Sequence, residues 1–260
     1  HQAFVRALGS PNWTNHDASC ARNVQHAALS LFGFGRKGVS YDLKNARHVV
    51  LQTRNMFEAI NVKEVNDLMT AMENGCKLTV IDIRANISAT KAHRFMMIRP
   101  GSDYALNLAV IHTLLSRKLY NTSYVNKWFK DLDVLERFVK PYTPEWAEQE
   151  TGIPAEDIVR FAQDLSKDAP AVLWHPGWMN ARYNDSFYMS RTIYIINALL
   201  GSVGAKGGLP MTNKPGDVDR KGLNKLVDLV PKVEEKRADG TGWKHGHLDT
   251  GPGLLHLGFD

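Results

Sequence analysis

Arg47-His48-Val49-Val50-Leu51-Gln52-Thr53-Arg54-Asn55 is the stretch on which the fold turns. Residues 47–52 read as a short strand: an apolar, β-branched centre bounded by basic residues on one side and by hydrogen-bonding groups on the other. After a loop, Val62, Val65, Leu68, Met69 and Met72 recur at helical spacing on one side of an amphipathic helix that Gly75 ends. Leu78-Thr79-Val80-Ile81-Asp82-Ile83 is a second β-branched run. Residues 102–119 then carry Leu106, Leu108, Val110, Ile111, Leu114 and Leu115, the mark of a well-buried helix. Strand, helix, strand and helix in this order define an α/β fold, a parallel sheet with flanking helices and right-handed crossovers.

Further from the centre, residues 21–32 read as a helix stopped by the glycine-rich turn from Gly33 to Gly38. Short helices are predicted over 123–139, 144–149 and 154–167, the last two opening with a proline. Ala171-Val172-Leu173-Trp174-His175 returns to a strand, and a helix over 185–200 ends at Gly201. Beyond Gly204 the composition shifts to Gly, Pro, Lys and Asp, which reads as extended connection.

The chain of 260 residues, 43% hydrophobic and 23% charged, can bury a substantial core. No apolar run approaches the roughly 18 residues of a membrane-spanning helix, so direct membrane insertion is not expected. A net charge of +5 favours anionic ligands, but the basic residues are dispersed without interleaved aromatics, which argues against nucleic acid. Cys20 and Cys76 are too few for a disulfide framework, a four-thiolate cluster or a structural zinc site. The chain opens His1-Gln2-Ala3-Phe4-Val5 without an initiator Met or a leader, and an internal piece of a longer protein is expected.

Gly33-Phe34-Gly35-Arg36-Lys37-Gly38 is a literal G-x-G-x-x-G, but a dinucleotide fingerprint needs a strand before it and a helix after it. Here a helix precedes and a strand follows, so a helix-ending turn is the better reading. The polar strand ends are more informative, because open α/β sheets bind ligands beyond their carboxyl edge. Gln52-Thr53-Arg54-Asn55 with Glu58 crowds donors and acceptors past the first strand, and Asp82 with Arg84 closes the second. An Asp there suits a ribose or a guanine edge and an Arg suits a phosphate; an ordinary solvated loop with a salt bridge explains the same residues. Arg99-Pro100-Gly101-Ser102-Asp103 opens the long helix, where Gly101 permits close approach and Ser102 or Asp103 stands near the N-cap.

Cys20 begins the first of these helices, in His16-Asp17-Ala18-Ser19-Cys20, where the helix terminus and nearby Arg22 would favour a thiolate. A buried structural cysteine is the commoner explanation of a lone Cys, and Cys76 is assigned that role. His245-Gly246-His247 lacks a third metal ligand, and Asn12-Trp13-Thr14 and Asn121-Thr122-Ser123 fit a glycosylation pattern by form alone.

Gly9-Ser10-Pro11-Asn12 running into His16-Asp17-Ala18-Ser19-Cys20, then Asn55-Met56-Phe57-Glu58, Asp82-Ile83-Arg84, and Ile98-Arg99-Pro100-Gly101-Ser102-Asp103 together resemble the dimethyl sulfoxide reductase superfamily of molybdopterin-dependent oxidoreductases. The resemblance runs in one register from about Ala3 to Gly208 and is strongest to the catalytic large subunits of thiosulfate and polysulfide reductases. It implies molybdenum or tungsten held by two molybdopterin guanine dinucleotides, with Cys20 as metal ligand. It also implies Asn55, Glu58, Asp82, Arg84, Gly101 and Asp103 around the guanine dinucleotides, and Gly177 and Trp178 over the second pterin. His16 and Arg22 follow as candidates for substrate or neighbouring contacts in the catalytic centre.

Residues 1–19 would then end a first-lobe segment, 20–168 would be the dinucleotide-binding-like domain, 169–208 a return into the first α/β lobe, and 209–260 an extended segment. A 4Fe-4S cluster would belong to a preceding segment of the complete subunit. A small inorganic sulfur substrate, an iron–sulfur partner subunit, a membrane anchor subunit and a periplasmic location are further implications. The rival readings are a related enzyme acting on arsenate, arsenite, tetrathionate, selenate or formate, a non-catalytic relative of the respiratory complex I type, and a nicotinamide dehydrogenase. Cys20 argues against the scaffold, and the misplaced glycine motif against the dehydrogenase.

Overall fold

A computed structural model of the chain describes residues 2–10, 12, 22–33, 39–59, 61–177, 185–211 and 229. The chain divides into two compact units, residues 1–19 with 215–260, and residues 20–214. In the first unit the described part is chiefly helix α1, Gln2–Ala7.

The second unit is built on four parallel strands, β1 (His48–Gln52), β2 (Lys77–Asp82), β3 (Arg94–Met97) and β4 (Val172–His175). They lie in the order β3-β2-β1-β4. The continuous apolar run of β1 is split by the strand's period of two. Val50 faces a core shared with Ile81, Trp174 and helices α5 (Asp103–Ser116) and α9 (Ala155–Asp168). Val49 and Leu51 face the opposite core with Leu78, Val80, Leu173 and helices α2 (Arg22–Phe32) and α3 (Val62–Glu73). Helix α10 (Ser186–Leu199) serves both, sending Ile193 and Ile196 to one side and Tyr194 and Ala198 to the other. This unit is thus a parallel sheet with helices on both faces, as the sequence predicts.

Three helices complete the long crossover from β3 to β4: α6 (Thr122–Trp128), α7 (Leu132–Val139) and α8 (Pro144–Thr151). The helix predicted over 123–139 is two, because the chain turns extended at Phe129 and Asp131 takes a positive φ of 53°. Strand β3 and the short helix α4 (Ile87–Thr90) were not foreseen. β3 is a four-residue edge strand in which Met96 alone is buried, too short and too little β-branched to stand out. β4, assigned from sequence to a return into the first lobe, hydrogen-bonds along β1, pairing Val50 with Trp174. Its other side is satisfied by Asn197 of α10, whose Oδ1 accepts from the Trp174 N–H at 3.0 Å and whose Nδ2 donates to the Trp174 carbonyl at 2.9 Å.

At the amino edge of the sheet the buried His48 imidazole joins two strands and a helix. Its Nδ1 donates to Asp168 Oδ2 at 3.0 Å, and its Nε2 lies 2.8 Å from Thr79 Oγ1. Lys77 Nζ donates to the same carboxylate at 2.9 Å. Burial by itself would raise the Asp168 pKa, but the His48 and Lys77 hydrogen bonds outweigh it and hold the carboxyl below its usual value. A depressed folded pKa stabilises the fold above the ordinary carboxylate range, and that contribution is lost as pH falls below about 4. Asp168→Ala leaves a buried imidazole without its acceptor and is expected to cost about 2–3 kcal/mol at neutral pH, Lys77 being half exposed. Denaturant midpoints measured from acid to neutral pH check both effects: the variant is weaker throughout the neutral range and lacks this share of the acid decline.

Candidate functional site

β2 joins β1 on one side through α3, whereas β4 joins it on the other after the long crossover over the opposite face. The strand order therefore reverses between β1 and β4, and the crevice beyond their carboxyl ends is the expected ligand position of such a sheet.

At this crevice β1 runs out into Thr53, a β-branched residue at φ 54°, whose amide donates to Ile81 O at 3.2 Å. Its buried Oγ1 has no hydrogen-bond partner. Such a backbone costs on the order of 1–3 kcal/mol and persists where its surroundings fix it. Gly177, just past β4, lies directly against it with φ +64°. A Cβ there would stand 2.6 Å from Gln52 O and 2.7 Å from Thr53 Oγ1. The Gly177 amide is anchored by donating to His175 Nδ1 at 3.0 Å.

The β1 and β2 exits are tied together. Asn55 Oδ1 accepts from Ser88 Oγ at 2.8 Å, and Glu58 pairs loosely with Arg84 at 3.8 Å, both partly or largely exposed. Asp82 is committed locally: Oδ1 accepts from the Ile83 amide and Oδ2 from Asn86 Nδ2, each at 2.7 Å. Gly101 has φ +84° and open space where a Cβ would stand. Ser102 occupies the N-cap position of α5 but makes no capping bond, its hydroxyl donating to Arg99 O instead.

Asp103 does not cap either. It is buried, its Oδ1 accepts from Gln52 Nε2 at 3.1 Å, and its Oδ2 meets no partner. Gln52 in turn accepts from Trp174 Nε1 at 3.1 Å. Burial pushes the Asp103 carboxyl up to about 6, Asp82 adding to the rise and the Gln52 bond opposing it. With the folded pKa above the unfolded one, Asp103's contribution to stability is full below about pH 4 and is lost as pH rises through about 6. Asp103→Asn is therefore expected to flatten the decline in stability of cofactor-free full-length protein between about pH 4 and 7, by up to about 3 kcal/mol. An unchanged pH profile of denaturant midpoints would remove Asp103 as its cause.

Helices α2, α5 and α10 all begin at this edge. Asn107 of α5 donates to Thr192 Oγ1 of α10 at 3.1 Å, and Asn121 beyond α5 donates its amide to Leu199 O, so the two helices run side by side in one direction. Asn23, in the first turn of α2, donates to Ser186 O and Ser190 Oγ in the first turn of α10, both at 3.2 Å. Arg22 is the first residue of α2, while Cys20, His16 and Trp178 lie outside the described residues. The structure thus gathers Asn55, Glu58, Asp82, Arg84, Gly101, Asp103 and Gly177 on one edge. It adds Trp174, which the sequence marks only as part of the last strand, and it sets Gln52 and Thr53, two of the polar residues read at the end of the first strand, against Asp103 and Gly177. An apolar groove of about 870 Å³, lined by Phe32, Trp128, Phe129 and Met211 among others, lies towards the other ends of α2 and α10. Among the described residues no cluster of His, Cys, Asp or Glu could by itself hold a metal ion.

A parallel sheet with helices on both faces and a polar crevice at its switch point belongs to the open α/β class, which binds its ligands at that place. The model of the molybdopterin oxidoreductase family matches residues 1–248, and the chain belongs to that family. It is 35% identical over 265 residues to the thiosulfate reductase molybdopterin-containing subunit of Salmonella typhimurium, an alignment covering 99% of this chain and 35% of that protein. It is 28% identical over 242 residues to the arsenate respiratory reductase molybdopterin-containing subunit of a Shewanella species, covering 82% of this chain and 28% of that protein. Among solved structures, acetylene hydratase from Pelobacter acetylenicus superposes with a TM-score of 0.68 and 26% identity, covering 77% of this chain and 27% of that one. The chain spans about a third of the length of these two curated relatives.

The family implies a molybdenum–molybdopterin cofactor, and the crevice fits one. Gly101 has open space where a Cβ would stand, and Asp103 Oδ2 is a buried acceptor in want of a donor.

Proposed function

We propose that the complete protein is the catalytic subunit of a molybdenum enzyme of anaerobic respiration. It would bind two molybdopterin guanine dinucleotides and reduce a sulfur compound such as thiosulfate or polysulfide. The observation that carries this reading is the 35% identity to a thiosulfate reductase subunit over essentially the whole chain.

When bound, the cofactor supplies the two-electron chemistry at its metal. The residues of this chain bind and orient it. Asp103 would offer its Oδ2 to a hydrogen-bond donor of the cofactor, and the loops carrying Asn55, Glu58, Asp82 and Arg84 would help to hold its polar groups. Gly177, with Trp178 next in sequence, would contribute to holding a pterin. Cys20 provides a thiolate ligand to the metal, and His16 and Arg22 lie near it in sequence to meet substrate. In thiosulfate the sulfur–sulfur bond breaks as two electrons and a proton are taken up, giving sulfite and hydrosulfide. The electrons would come through a 4Fe-4S cluster of the complete subunit and an iron–sulfur partner, attached to a membrane anchor subunit on the periplasmic side.

A substrate panel tests this reading. Full-length enzyme supplied with a reduced dye is expected to show its highest kcat/KM with thiosulfate or polysulfide, above tetrathionate and arsenate. The arsenate reductase relatives make arsenate the second reading, and a preference for arsenate would overturn the sulfur assignment.

A further inference from the structure

We propose that Trp174 and Gln52 are positioning residues, whose hydrogen-bonded chain fixes the Asp103 carboxylate and leaves Oδ2 as the oxygen offered to a bound ligand. This rests on the reading above that the start of α5 meets the cofactor's dinucleotide.

The three side chains are buried in sequence, from strand β4 through β1 to helix α5. An indole N–H only donates, so Trp174 Nε1, 3.1 Å from Gln52 Oε1, decides which end of the amide is oxygen. The amide nitrogen must then face Asp103, where it donates to Oδ1 at 3.1 Å. With Oδ1 held as an acceptor, a proton taken up by Asp103 is directed to Oδ2. That oxygen is buried without a partner, a costly state unless a ligand supplies one.

The charged group acting on Asp103 from a neighbouring element is Asp82 at the end of β2, which raises its pKa beyond what burial does. At neutral pH, above the Asp103 value of about 6, Oδ2 is a pure acceptor. The ligand group that meets it is therefore an N–H or O–H donor, as on the edge of a purine or pterin ring. Gly101, two residues before, has open space where a Cβ would stand. The ionised carboxylate favours the same orientation of the amide, and Trp174 reinforces it at one remove from the ligand.

The test uses full-length protein prepared without cofactor, with GDP as the probe and its affinity measured calorimetrically from about pH 5 to 8, the range that brackets the titration of Asp103. Wild-type affinity is expected to fall as pH drops through the Asp103 pKa. Gln52→Met keeps the bulk of the side chain but removes the donor that favours the carboxylate, so this midpoint is expected to rise by on the order of one pH unit. Trp174→Phe keeps the ring packed on Phe161, at 5.4 Å between centroids, and is expected to raise it less. The double variant is expected to match Gln52→Met alone, because the chain is already cut. The nucleotide's own titration is common to all variants and cancels between them.

Additive shifts, or weaker binding with an unmoved midpoint, would overturn the positioning role. If Gln52→Met does not fold, Trp174→Phe decides by itself. Asp103→Asn separates the two levels: it is expected to remove the protein's share of the pH dependence. If it leaves GDP affinity and its profile unchanged, or if wild type binds no GDP, the dinucleotide reading of the crevice fails and the inference with it.

Discussion

Gly177→Ala is expected to disable the crevice. The added methyl would lie 2.6 Å from the Gln52 carbonyl and 2.7 Å from Thr53 Oγ1, and the backbone at φ +64° disfavours any side chain. The first obstacle is main chain belonging to β1, which cannot rotate away as a side-chain end could. The left-handed conformation costs about 1–2 kcal/mol, and forcing in a methyl about 1–3 kcal/mol more. A total of about 2–5 kcal/mol is a large share of ordinary stability. The structure has one way to relieve it, which is to move the β4 exit away from β1 and so distort the switch-point crevice. Full-length Gly177→Ala is expected to melt at lower temperature and to hold much less cofactor. Wild-type melting and cofactor content together would show that Gly177 is not packed as described.

Cys20→Ala is expected to have the largest effect on activity. A thiolate is both a nucleophile and a metal ligand, and alanine offers no donor atom in its place. Outer partners of metal ligands already cost roughly 10–100-fold when removed, so loss of the ligand itself is expected to exceed ~100-fold in turnover. Cofactor content measured alongside distinguishes the causes. Loss of turnover with the pterin retained places the defect at the metal, and unchanged turnover would sink the assignment of Cys20.

The parallel sheet was legible because β1 and β2 are apolar, β-branched runs separated by a helix of clear period, and α5 is apolar around its whole circumference. β3 was not, because an edge strand buries too little to need an apolar sequence. The break at Asp131 was hidden for a related reason: α6 and α7 each keep helical spacing, and the residue between them in the left-handed region is an Asp, not a Gly. In the site, the polar strand ends signalled the carboxyl edge correctly, since donors and acceptors there have no packing role. The strand order, and with it the place of the crevice between β1 and β4, depends on which side of β1 the last strand joins. No local pattern encodes that. Asp103 looked like a cap because it stands at a helix start, yet its side chain turns inward to Gln52, a choice made by the tertiary fold. Asp82, which the sequence suggests for a ribose or a guanine edge, also holds its own turn.

The Gln52, Thr53 and Gly177 cluster shows how sequence and chemistry join. A buried amide, a strained β-branched residue and a glycine under van der Waals contact are each unfavourable alone. At the end of the sheet they pack against one another, with the Gln52 amide committed to Trp174 and Asp103.

The most direct check is chemical analysis of the full-length protein purified from cells able to make the cofactor, for metal, pterin and guanine. The expected result is molybdenum or tungsten together with equal amounts of pterin and guanine, both in excess over the metal. A well-folded protein that carries none of the three would contradict the assignment of this crevice to a molybdopterin dinucleotide.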